Sequence, residues 1–303
     1  MKHLLGLRDV SADEIETILN EAFHMKREVL LGNKKTGDLN GKSVVTLFYE
    51  NSTRTRLSFE LASKYLGATA ANITASGSSV AKGETLIDTA KTIRQMAADA
   101  VIIRHPSSGA PQLVAEHVDA AVINAGDGMH EHPTQALLDL MTIQEKKGTL
   151  RGLKVAIVGD VKHSRVARSN IYGLKKMGAE VVLGGPSTLM PVEMEQMGVK
   201  AYFDVDRAVE GADVIMGLRI QLERQKKGSF PTVREYHKYF GINDARLRKA
   251  APDVIVMHPG PVNRGVELSA DVIDGAKSVI EQQVTNGVCV RMAVLNLLIG
   301  DKR

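Results

Sequence analysis

A chain of 303 residues, 44% of them hydrophobic, can bury a sizeable core and divide into two domains of ordinary size. A charged fraction of 24% argues against wholesale disorder, and a formal charge of +4 suits small anionic ligands. Nucleic-acid binders carry a denser basic stripe and stacking aromatics, whereas aromatics are 4% here and Trp is missing.

In chain order, "MKHLLGLRDVS" has too short an apolar run for a signal peptide and does not read as a transit sequence. A helix is predicted over "SADEIETILNEAFHMKREVL": Ser11 and Glu14 have capping-box spacing, and Ile15, Ile18, Leu19 and Ala22 recur on one face. "SVVTLFY" reads as a buried strand, and "TRLSFELASKYLG" as a helix that starts near Thr53 and ends at Gly67. A strand over "TAANIT" leads into a Gly/Ser-rich loop, "ASGSSVAKGE", and then a helix over "TLIDTAKTIRQMA". "DAVIIRHP" and "AAVINAG" are short strands around a helix near "GAPQLVAEHV". "HPTQALLDLMTIQEKKG" is a long helix with Pro133 at its first position. The second half repeats the rhythm with strands at "KVAIVGD", "EVVLGG", "DVIMGLR" and "DVIVMHPGP", a helix at "RVARSNIYGLKKMG", and a closing helix over "QVTNGVCVRMAVLNLLIG". The alternation predicts an α/β protein of two domains, each a mostly parallel sheet flanked by helices, joined near residues 132–150.

The lone cysteine, Cys289, allows no internal disulfide, sits in the apolar closing helix as a packing residue, and points to a reducing compartment. No window approaches the ~20 apolar residues of a membrane span, so a cytoplasmic protein with no membrane partner and no nucleic acid is expected.

The densest chemistry is "STRTR" at residues 52–56, between a strand and a helix. Backbone N–H groups at a positive helix end make an anion site, to which Ser52, Thr53 and Thr55 add hydroxyls and Arg54 and Arg56 add guanidinium groups that match phosphate oxygens. The plainer alternative is a Ser/Thr N-cap with solvated arginines, or one arginine paired elsewhere in the fold. Polar residues recur where other strands end: Arg104, His132 to Gln135, Arg165, Arg219 and "HPGP". Open α/β sheets bind ligands at those ends.

These motifs together resemble the carbamoyltransferase family, in its aspartate-accepting branch. The likeness covers essentially the whole chain: "FYENSTRTRLSFE", "SSVAKGETLIDT", "VIIRHP", "HPTQALLDL", "VAIVGDVKHSRVARS", "LRIQLER" and "MHPGPVNRGVE" occur in the family's order. The resemblance implies a carbamoyl-phosphate domain over 1–132 with the closing helix 285–303 packed back on it, a connecting helix over 133–148, and an aspartate domain over 149–284. It implies that Ser52, Thr53, Arg54 and Thr55 hold the phosphate and that Arg104 contacts phosphate and carbonyl. Thr55 and His132 reach the carbonyl oxygen, while Gln135 and the turn Pro259, Gly260 and Pro261 hold the amide end. Arg165 grips the α-carboxylate of aspartate, and Arg219 and Gln221 its side-chain carboxylate. Ser78 and Lys82 come from a neighbouring subunit, with Ser76 and Ser79 as alternatives to Ser78. Some members have Leu where this chain has Gly260, a change that a backbone contact tolerates.

The implied reaction transfers the carbamoyl group of carbamoyl phosphate to the amine of L-aspartate through a tetrahedral intermediate, the committed step of de novo pyrimidine synthesis. Arg54, Thr55, Lys82, Arg104 and His132 are the expected catalytic residues. His132 precedes Pro133 at a positive helix end, which favours a neutral imidazole donating to the carbonyl oxygen. No cofactor, covalent nucleophile or metal is expected: His130 and His132 lie two apart with no Cys or carboxylate pattern to complete a site. The family's unit is a homotrimer with shared active sites; regulatory chains and a dihydroorotase stay open as partners. The ornithine-accepting branch carries a Ser-Met-Gly loop and a "HCLP" strand end, where this chain has "GLRIQLER" and "MHPGP". A dinucleotide-binding alternative fails on spacing, since Val161 and Ser164 stand where G-x-G-x-x-G needs glycines after Gly159. A non-catalytic scaffold is disfavoured because every expected site position is filled.

Overall fold

The computed structural model describes residues 1–74, 83–192, 194–220 and 232–301. The chain forms two compact units, one of Met1–Met141 with Thr285–Arg303 and the other of Thr142–Val284.

In the first unit, Ser11 caps α1 (Ala12–Leu30) with the full capping box: the Glu14 N–H donates to Ser11 Oγ over 3.1 Å, and the Ser11 N–H to Glu14 Oε2 over 3.0 Å. The face made by Ile15, Ile18, Leu19 and Ala22 is buried. Four parallel strands follow, β1 (Ser43–Phe48), β2 (Thr69–Thr74), β3 (Ala100–His105) and β4 (Ala121–Asp127), in the spatial order β2-β1-β3-β4. Helices α2 (Thr53–Tyr65), α3 (Leu86–Gln95) and α4 (Ala110–Ala115) connect them. The apolar runs of the strands supply Val45, Leu47, Val101, Ile103 and Val122 to a core with Ala90, Ile93 and Val114 from the helices. A short N-terminal segment lies along β4: the Leu4 N–H donates to Val122 O (2.8 Å) and the Asn124 N–H to Leu4 O (2.9 Å).

Helix α5 (Pro133–Lys147) leaves the first unit for the second, whose sheet also has parallel neighbours throughout. Its strands β5 (Lys154–Val158), β6 (Glu180–Gly184), β7 (Lys200–Tyr202), β8 (Val214–Gly217) and β9 (Ile255–Met257) lie in the order β7-β6-β5-β8-β9. Helices α6 (Arg165–Lys176), α7 (Val205–Val209), α8 (Val233–Phe240), α9 (Asp244–Leu247) and α10 (Ala270–Ile273) complete the unit, and α11 (Ile280–Ile299) closes the chain. Ala156, Val158, Val182, Ile215 and Val256 form the core here with Val205, Val209 and Val272. The edge strand β7 and the short helices α7 to α10 are absent from the sequence-based expectation; three strand residues or one to two helical turns leave little legible period. Cys289 forms no disulfide and is fully buried in α11. Among the described residues no helix is long and apolar enough to cross a membrane.

Both strand orders contain a switch point. In the first sheet the chain turns from β1 to β2 on one side and to β3 on the other. In the second it turns from β5 to β6 and later to β8. The carboxyl ends of β1 and β3, and of β5 and β8, are therefore where each sheet opens a crevice for a ligand.

Candidate active site

The first switch point holds "STRTR" and Arg104. The Tyr49 N–H donates to Arg104 O over 2.9 Å, which carries the β1–β3 pairing to the strand ends. Ser52 is the N-cap residue of α2, yet its side chain makes no capping bond. The plainer reading of the motif, a hydroxyl spent on the helix end, is therefore not what the fold builds. Thr53 and Arg54 are exposed in the first turn and Thr55 is buried. Arg104 is set from two sides, with Glu50 Oε2 3.4 Å from its Nε and Ala125 O accepting from its Nη1 over 3.1 Å. Tyr49 and His105 meet as tilted rings with centroids 4.9 Å apart, and burial pushes the Tyr49 hydroxyl up and the His105 ring down from their ordinary pKa values.

His132 reaches the same sheet edge through the turn after β4. Asp127 organises that turn by accepting from Gly109 N (2.7 Å), Asn124 Nδ2 (2.7 Å), His130 Nδ1 (3.0 Å) and Glu131 N (3.2 Å). Burial alone would raise its pKa; the hydrogen bonds from His130, Gly109 and Asn124 outweigh that and hold the carboxyl below the usual range. Glu131 takes the N–H groups of Leu7 (2.6 Å) and Arg8 (3.2 Å) and locks the N-terminal segment onto the turn. His132 is then buried at the mouth of α5, its carbonyl accepting from the N–H groups of Gln135 and Ala136. Gln135, also buried, donates from Nε2 to Asp139 Oδ1 over 3.1 Å. Thus Ser52, Thr53, Arg54, Thr55, Arg104, His132 and Gln135 share the carboxyl edge of one sheet.

The second switch point holds Arg165 and Arg219. Ser164 caps α6 by accepting from Ala167 N over 3.1 Å, which makes buried Arg165 the first helical residue. Ahead of it, Asp160 accepts from the His163 N–H (3.2 Å) and pairs with His163 Nδ1 at 2.9 Å. Gly159 has φ +133°, and a Cβ there would lie 3.1 Å from Leu218 Cβ, so glycine lets the ends of β5 and β8 approach. Beyond Arg219, the Ile220 N–H donates to Glu267 Oε1 (2.7 Å); Asn263 donates to the same carboxylate from its N–H (2.9 Å) and its Nδ2 (2.7 Å). After β9, the Gly260 N–H donates to His258 Nδ1 (2.8 Å), and the His258 N–H to Gln283 Oε1 (3.0 Å). Gly260 has φ +64°, a region that glycine enters without the strain leucine would carry. Gly260, Pro261, Arg165 and Arg219 thus share the carboxyl edge of the second sheet. Ser76, Ser78, Ser79, Lys82 and Gln221 lie outside the described residues.

Sequence reasoning did not assign roles to Glu50, Asp127, Asp139, His163, His258, Glu267 or Arg291. Glu50 and Glu267 lie inside quoted motifs, and a carboxylate beside a needed arginine or strand end is the signal that could have singled them out. Among the described residues, no three His, Cys, Asp or Glu side chains gather as a metal site.

Two parallel α/β units, each with arginines at its switch point, define a protein with two crevices suited to anions. Residues 2–145 match the aspartate/ornithine carbamoyltransferase carbamoyl-P binding domain, and residues 151–298 the Asp/Orn binding domain of the same name. The chain belongs to the aspartate/ornithine carbamoyltransferase family. It is 69% identical over 98% of its length, and 95% of the relative's, to the aspartate carbamoyltransferase catalytic subunit of Ruminiclostridium cellulolyticum. Among solved structures, the ornithine carbamoyltransferase of Pyrococcus furiosus superposes with a TM-score of 0.89 at 35% identity, covering 100% of this chain and 98% of that one. The aspartate transcarbamoylase of Trypanosoma cruzi in complex with carbamoyl phosphate and aspartate gives 0.88 at 31% identity, covering 97% and 95%.

Proposed function

We propose that the chain is an aspartate carbamoyltransferase that joins carbamoyl phosphate to L-aspartate, giving N-carbamoyl-L-aspartate and phosphate in the committed step of pyrimidine synthesis. The observation that carries this reading is the full-length identity of 69% to a catalytic subunit of that name. The fold alone does not choose the acceptor, since it matches the ornithine and aspartate branches about equally well. Arg219 at the end of β8 makes the choice: it attracts a side-chain carboxylate and repels the ammonium of ornithine.

In this reading Ser52, Thr53, Arg54 and Thr55 receive the phosphate on the N-terminus of α2, where backbone N–H groups and the helix dipole favour an anion. Arg104, Thr55 and His132 donate toward the carbonyl oxygen, and Gln135 with the turn Pro259–Gly260–Pro261 holds the amide. Arg165 takes the α-carboxylate of aspartate, with Arg219 and Gln221 on the side-chain carboxylate. The amine attacks the carbonyl carbon, a C–N bond forms, the C–O bond to phosphate breaks, and the amine proton leaves with phosphate. Alignment of the partners is worth on the order of 7–11 kcal/mol in favourable cases, and each donor on the developing oxyanion roughly 3–4 kcal/mol. The carbamoyl-phosphate domain spans 1–132 with 285–303, the connecting helix 133–148 and the aspartate domain 149–284. The working form is a cytoplasmic homotrimer in which Ser78 and Lys82 complete a neighbour's site.

Phosphate release from carbamoyl phosphate, with L-aspartate and L-ornithine offered separately, tests the acceptor. Release with aspartate alone is expected; release only with ornithine overturns the reading of Arg219.

A further inference from the structure

A buried carboxylate sets which way the Gln135 amide faces. Asp139 lies one turn further along α5 with no exposed surface, and it accepts from Gln135 Nε2. A carboxylate only accepts, so Gln135 must turn its NH2 group toward Asp139 and its Oε1 the other way. A carboxylate this deep needs a compensating cation. Arg291 of α11, itself 4% exposed, feels that carboxylate: burial pushes its guanidinium down to about 10, and the charge of Asp139 works against that shift. Arg291 is fixed in turn by the bond from its Nη1 to Gly287 O (2.8 Å) and by the Phe59 ring, whose centroid lies 5.1 Å from the guanidinium carbon. Phe59 stands one turn beyond Thr55 on α2, so the same group braces the helix that bears "STRTR".

We infer that Arg291 and Asp139 are positioning residues that hold the Gln135 amide with its oxygen toward the acyl group, so that the site selects an acyl phosphate bearing NH2 over one bearing CH3. The inference rests on the reading of Gln135 as the carbamoyl ligand. The NH2 of a carbamoyl group donates to Oε1. A methyl group of similar size leaves that oxygen desolvated and without a donor, and a flipped amide would set NH2 against NH2.

Calorimetry with two stable phosphonates, phosphonoacetamide and phosphonoacetone, reads the selection directly. The unmodified protein is expected to prefer the amide by about tenfold, the scale of one well-made hydrogen bond in a desolvated site. Gln135→Ala should reduce the preference severalfold, to whatever the turn at Pro259–Gly260–Pro261 sustains alone. Asp139→Asn, whose amide can either donate or accept, should reduce it to the Gln135→Ala level while phosphonoacetone affinity changes less than about twofold. Arg291→Met should act in the same direction and Arg291→Lys should retain the preference, a pair that decides the matter if Asp139→Asn does not fold. Equal loss of both ligands in Asp139→Asn and Arg291→Met, or a preference intact in both, overturns the inference. If Gln135→Ala itself keeps the preference, the reading of Gln135 has failed instead.

Discussion

Glu267 is the sharpest mechanical test of how the second switch point is built. It is 2% exposed and gathers the N–H of Ile220, the N–H of Asn263 and the side-chain amide of Asn263 within 2.7–2.9 Å. Glu267→Ala leaves the buried Ile220 N–H and the part-buried Asn263 N–H without that acceptor; the buried donor alone costs about 1–3 kcal/mol, so stability should fall by at least about that much. Ile220 directly follows Arg219, and freeing it should loosen that guanidinium. A charge-assisted contact of about 1.5–3 kcal/mol, if lost, raises the KM for aspartate by on the order of 10- to 100-fold. Phosphonoacetamide affinity should stay within about twofold, because the residues proposed to bind it lie mainly on the first sheet. The pH dependence has a definite sign. Burial raises the Glu267 pKa, so this group's contribution is fully present below the ordinary glutamate value and is lost as pH rises through its native value. The alanine variant should lack that slope. Steady-state kinetics in aspartate, calorimetry with phosphonoacetamide and urea melts followed by circular dichroism measure all three. An unchanged aspartate KM in a destabilised variant would refute the link from Glu267 to Arg219.

Other consequences are simpler to state. Arg54→Ala should lower kcat by about 10²- to 10³-fold, as loss of one preorganised charge at the leaving group would, measured by phosphate release. Asp127, with its pKa held low, contributes stability that is present above the usual aspartate range and lost as pH falls through its native value. Asp127→Asn should therefore flatten the acid limb of the stability curve, as urea melts at about pH 5 and pH 3 would show. Arg54→Ala and Lys82→Ala, each strongly impaired alone, should regain activity when mixed and allowed to exchange subunits. No recovery after proven exchange would argue for sites built within one chain.

Much of the fold was legible because its signals are local. The run Val44, Val45, Leu47, Phe48 marks a strand buried on both faces, and Ser11 with Glu14 marks a helix start; the structure contains both. "STRTR" was legible because hydroxyls and arginines at a strand-to-helix junction have few structural uses. Lys200–Tyr202 was not, because three residues at a sheet edge carry no period and pair only through β6. Strand order is a property of the closed sheet, so the placing of Arg104 beside "STRTR", and of Arg219 beside Arg165, became visible only with the β1–β3 and β5–β8 neighbours. Asp139 looked like one polar residue in a helix and Arg291 like one charge in an apolar run. The influence of one charge on the other joins segments far apart in the chain, which no local pattern encodes.

The central claim is a single new bond between the carbamoyl carbon and the amine of aspartate. Carbamoyl phosphate labelled with carbon-13 and aspartate labelled with nitrogen-15 would be incubated with the protein and followed by NMR. A carbon signal split by a directly bonded nitrogen, growing in step with phosphate release, is the predicted result. Phosphate release with the carbon label appearing only in hydrolysis products, or coupling that forms with labelled ornithine and not with aspartate, would contradict the account.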